Sequence, residues 1–112
     1  MTNITYHIGW RCSIAIDGHA CAERTAEGSD LCCAAESMLA CTLIDTLKKL
    51  PLSHRYIYMT DGYVYVSFGI LGIAGVAALA ALVTVVNGYR LLTERYPDNV
   101  SVKKQRRLVK SE

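Results

Sequence analysis

Hydrophobic and polar positions along this chain fall into short alternating segments and two long helical runs. Residues 4–10 and 13–17 are short and rich in β-branched and aromatic types, with Arg11 and Cys12 between them. They predict an antiparallel pair of strands. Residues 21–29 then turn polar, with Glu23, Arg24, Thr25 and Glu27, and close on Gly28. A connection of that length exceeds the usual ~4–6 residues, and such loops often carry function.

A helix is expected next. Asp30 is a natural N-cap, Leu31, Leu39, Leu43, Leu47 and Leu50 recur at near-helical spacing, and Pro51 stops the run. Lys48 and Lys49 fall in its last turn, where cations suit the helix dipole. Residues 56–66 read as a hairpin turning at Asp61-Gly62, with Tyr56, Tyr58, Tyr63 and Tyr65 as a cross-strand packing face.

From residue 62 to residue 88 there is no charge. An apolar run of 18 or so residues or more raises a membrane span, here over residues 67–89. Against that, the first residues belong to the hairpin, and five alanines and the glycines at 69, 72 and 75 temper the hydropathy. A second helix from about Leu71 to Tyr96, halted by Pro97 and buried against a sheet, accounts for the run equally well. Residues 99–103 alternate and add a possible edge strand. The order is ββαββα(β): an α+β two-layer fold, with a small mixed or antiparallel sheet and two helices on one face. Residues 1–103 form one domain, and 104–112 a basic tail.

Composition refines this picture. At 112 residues and 52% hydrophobic content the chain supports one core and points to either a self-associating surface or a membrane segment. A net charge of +2 is too small to argue for nucleic acid, and the basic cluster Lys103, Lys104, Arg106, Arg107 and Lys110 reads as a solvated tail. Five cysteines, an odd and irregularly spaced set with no secretory signal ahead of them, speak against a disulfide framework and for a reducing cytosol.

The candidate chemistry lies between Gly18 and Ala35. With Asp30 as N-cap, Cys33 takes the third helical position, where unpaired amides favour a thiolate and lower its pKa from ~8.5. The same amides offer an oxyanion hole, and His19 is placed to act as general base. The two lie fourteen positions apart, and a buried, inert cysteine explains Cys33 without chemistry. Cys32 reads as core packing. Ser37, one turn beyond Cys33, is either a hydrogen-bonding site residue or a serine bonded to its own backbone. A metal site from His19, Cys21, Cys32 and Cys33 is disfavoured by the adjacent cysteines. His7 and His54 read as structural or exposed.

Gly18-His19-Ala20, Gly28-Ser29-Asp30 and Leu31-Cys32-Cys33-Ala34-Ala35 with Ser37 resemble the ribosomal-processing cysteine protease family, Prp. Asp61-Gly62-Tyr63 and the stretch from Leu91 to Pro97 extend the similarity over most of the chain. The resemblance implies a small α/β homodimer, of a kind found mainly in Gram-positive bacteria. Such proteins remove a short N-terminal extension from a large-subunit ribosomal protein. It maps the nucleophile onto Cys33, the histidine onto His19, and supporting residues onto Asp30, Ser37, Gly18 and Gly28. It implies no cofactor or metal, a ribosomal-protein precursor as partner, no direct nucleic-acid or membrane contact, and a cytoplasmic location.

Cys32, Cys21 and Glu36 depart from the pattern. Because a buried carboxylate is costly without a partner, Glu36 is expected in solvent or in the cleft. Two readings compete with the protease. One is a non-enzymatic single-span membrane protein, and the other is a module of the same fold that binds a peptide or ribosomal protein without cleaving it.

Overall fold

The computed structural model describes residues 1–18, 27–52 and 54–105, with the backbone alone of residues 27–30. Its elements run β1 (Thr2–His7), β2 (Arg11–Asp17), α1 (Glu27–Lys49), β3 (Tyr56–Thr60), β4 (Tyr63–Gly69), α2 (Gly72–Arg95) and β5 (Val100–Lys104). The expected two-layer α+β fold is what forms, a five-stranded sheet with both helices on one face.

Strand order is β3-β4-β2-β1-β5. The first hairpin pairs Ile4 with Ile16 and Tyr6 with Ile14. β2 pairs antiparallel with β4, and β3 with β4 through the turn at Asp61-Gly62. β5 joins β1 in parallel, with Val100 opposite Thr2 and Val102 opposite Ile4. A parallel partner needs a long crossover, and β5 returns to β1 only after the rest of the fold is laid down. Both edges are short, and β5 ends on exposed Lys103 and Lys104, which discourages further pairing.

Alternation sends Ile4, Tyr6, Cys12, Ile14, Ile16, Val66, Phe68 and Val100 toward the helices, where all are buried. From α1 come Cys32, Leu43, Ile44 and Leu47, and from α2 Ala78, Leu82, Val85, Val86 and Tyr89. The leucine pattern therefore misleads at one point: Leu31 is 68% exposed, and Cys32 takes the core position beside it. On the helix-free face the tyrosines pack diagonally, Tyr56 on Tyr65 at 6.0 Å and Tyr58 on Tyr63 at 6.1 Å between ring centroids.

The carbonyls at the end of α1 are satisfied by a side chain. Arg55 Nη1 donates to the carbonyls of Leu47 (2.7 Å), Leu50 (3.1 Å) and Lys48 (3.3 Å). The two helices approach closely at Gly88, where a Cβ would come within 2.8 Å of Leu39 Cδ2. α2 is long and apolar enough to cross a bilayer by length and composition alone. Its inner face is nevertheless buried from Gly75 to Tyr89, and residues 67–69 of the supposed span lie in β4.

Candidate active site

Helix α1 starts earlier than capping logic places it. It begins at Glu27, so Asp30 lies inside its first turn rather than at its cap, and Cys33 sits nearly two turns in. Gly28, read as the end of a loop, is helical instead; a single glycine costs only ~1 kcal/mol against alanine. The unpaired amides of a helix start belong to its first four residues, here 27–30. The amide of Cys33 is not among them, and the dipole acts mainly within the first turn. The expectation of an oxyanion hole at the Cys33 amide is corrected accordingly.

Cys33 is half-buried, on the border between the core-facing side of α1 and its solvent side. It is disulfide-bonded, whereas Cys12, Cys32 and Cys41 are free thiols. The odd cysteine count argues against a disulfide framework, yet among the described cysteines it is Cys33, read as a free thiol, that is bonded. His19 lies outside the described residues, as does Cys21, and so does the side chain of Asp30. Ser37 is exposed on the turn beyond Cys33.

Cys32 has a different character. It is fully buried, and its thiol donates to Glu36 Oε2 at 3.3 Å. Burial, with the hydrogen bond to the carboxyl and its charge, pushes this thiol up to about 12. It is thus a protonated core group at neutral pH, which bears out its reading as packing.

Glu36 corrects a second expectation. It is 7% exposed, neither in solvent nor in an open cleft. Its Oε1 accepts from the hydroxyl of Thr2 at 2.8 Å, and its backbone carbonyl accepts from Tyr89 at 3.0 Å. Burial is the main cause that raises the Tyr89 pKa, so this phenol stays a donor. Thr2 is the residue the sequence reading missed, because the first strand was begun at Ile4. The available signal was a polar residue at the inward parity of Ile4 and Tyr6.

Gly18 closes β2 at φ +98°, a left-handed value. A Cβ there would lie 2.4 Å from the Met1 carbonyl oxygen and 3.7 Å from Thr2 Cα. Its amide donates to the Gly62 carbonyl at 2.7 Å. The residue from which His19 departs is therefore pinned between the start of β1 and the Asp61-Gly62 turn. Gly18 and the Cys33 helix thus meet at a common neighbour, Thr2.

The whole arrangement has solved counterparts. The essential ribosomal processing protease Prp from S. aureus, in complex with a substrate peptide, superposes with a TM-score of 0.75 at 17% identity, over 94% of this chain and 100% of that one. The same protease with a covalently linked product peptide gives 0.76 at 19% identity, with the same coverage. SMU.848 from Streptococcus mutans gives 0.68 at 23% identity, over 96% of each chain. The fold is Prp-like. No family model and no curated protein sequence matches the chain. At these identities the likeness establishes the shared architecture alone.

Proposed function

We propose that this protein is a cysteine endopeptidase that removes a short N-terminal extension from a large-subunit ribosomal protein precursor. The observation that carries the reading is the match of nearly the whole chain to a protease solved with peptide bound. The Cys33 sulfur attacks the scissile carbonyl, forming a thioester and releasing the amine, which takes a proton from His19; water then hydrolyses the thioester. Asp30, Ser37, Gly18 and Gly28 support the site. Amides at the start of α1, rather than the Cys33 amide itself, are the donors for the oxyanion.

The disulfide at Cys33 makes the reduced chain the competent form. A dithiol reductant returns Cys33 and its partner sulfur to thiols and leaves as a cyclic disulfide. A cytoplasmic setting supplies such reductants. The protein acts as a homodimer through the outer face of α2, where Ile73 is 91%, Val76 61% and Val83 49% exposed.

One further reading draws on a specific observation. Because Cys33 lies deep in α1 and is bonded, the same fold could hold a peptide without cleaving it. Incubation with a precursor, with and without dithiothreitol, separates the two readings. Cleavage by the reduced chain, absent in Cys33→Ser and His19→Ala, supports the protease. Binding without cleavage under reduction supports the module.

A further inference from the structure

We propose that Thr2 and Glu36 together form a positioning strut for Cys33, a role that rests on the reading of Cys33 as nucleophile. Thr2 is fully buried and touches both sides of the site. Its backbone abuts Gly18, the last described residue before His19, and its amide is held by the Asn99 carbonyl at 2.8 Å. Its hydroxyl donates to Glu36, which stands three residues beyond Cys33 and four beyond Cys32 on α1. Glu36 in turn takes the Cys32 thiol on its second oxygen, and its carbonyl takes the Tyr89 hydroxyl from α2.

One residue of α1 is thereby tied to β1, to its own helix one turn back, and to α2. The position of the cysteine turn relative to the end of β2 is set through a hydroxyl–carboxyl hydrogen bond. Apolar residues of similar volume would hold the layers together as well or better, because burying a carboxyl is costly. What they would not supply is a directional contact of fixed length. Positioning is the gain that directionality brings, since misplacement by about 1 Å costs on the order of a hundredfold in rate.

The test compares Thr2→Val, which keeps shape and loses the hydroxyl, with Thr2→Ser, which restores it. Both are assayed with dithiothreitol on the precursor peptide, and Cys33 alkylation by iodoacetamide is followed without substrate on protein reduced and then freed of reductant. Thr2→Val is expected to lower kcat about tenfold or more with KM within about twofold. It is also expected to change the Cys33 alkylation rate by about threefold or more. Thr2→Ser stays near the parent in both. Parent-like kcat and alkylation in Thr2→Val would overturn the strut, and so would a Thr2→Ser that fails as Thr2→Val does. If circular dichroism shows Thr2→Val unfolded, Thr2→Ala takes its place. If the parent cleaves nothing, the protease reading fails, while the alkylation comparison still decides the strut.

Discussion

Replacing Gly18 by alanine tests how the histidine-bearing end of β2 is held. Two costs add. At φ +98° an alanine pays roughly 1–2 kcal/mol for the left-handed region. Its Cβ would also stand 2.4 Å from the Met1 carbonyl oxygen, a backbone atom that cannot swing away as a side chain would. Relieving that overlap means shifting β1 or β2, at about 1–3 kcal/mol by analogy with overpacked cores. The sum, about 2–5 kcal/mol, is a large part of the ~5–15 kcal/mol that holds a domain. For a chain of this size it lowers Tm by about 10–25 °C. Thermal unfolding followed by circular dichroism in dithiothreitol reads the shift. Gly18→Asn separates the two costs, since asparagine tolerates the left-handed region but carries the same Cβ. A Gly18→Ala shift below about 3 °C would refute the close approach and the reasoning built on it.

Other outcomes follow from the same geometry. The raised Cys32 thiol contributes stability that is full below its ordinary pKa of 9.0 and is lost as pH climbs toward about 12. Urea midpoints of the parent should therefore fall more steeply above pH 9 than those of Cys32→Val, and parallel curves would contradict the burial argument. Gly88→Ala sets ~1 kcal/mol of helix propensity against a Cβ placed 2.8 Å from Leu39 Cδ2. Because Leu39 is a flexible side chain, a net change between about zero and 2 kcal/mol destabilising is expected in urea unfolding. Val76→Glu on the outer face of α2 is expected to dissociate the proposed homodimer by light scattering, and an unchanged dimer mass would move the interface elsewhere.

Most of the architecture was legible because local signals agreed. Asp61-Gly62 between alternating runs, Pro51 after a leucine pattern, and an uncharged stretch of helical length each point to one element. The start of α1 was not legible. Gly28 and Asp30 are punctuation by type, yet the helix runs through both and moves Cys33 away from the terminal amides. Glu36 was misplaced for a different reason. Its hydroxyl partner is 34 residues away on β1, and periodicity does not reveal pairing across layers. The parallel placement of β5 beside β1 is non-local in the same way. At the site itself, the choice of Cys33 over Cys32 drew on capping that the structure does not bear out. What the structure adds is that Cys32 is buried and protonated, a core residue.

The central claim is that the Cys33 sulfur does the chemistry, and titrating it measures this most directly. The reduced protein is treated with sub-stoichiometric iodoacetamide, each fraction is assayed for precursor cleavage, and modified cysteines are mapped by mass spectrometry. Loss of cleavage should track modification of Cys33 one for one and be independent of the exposed Cys41. Full modification of Cys33 with cleavage retained would contradict the account.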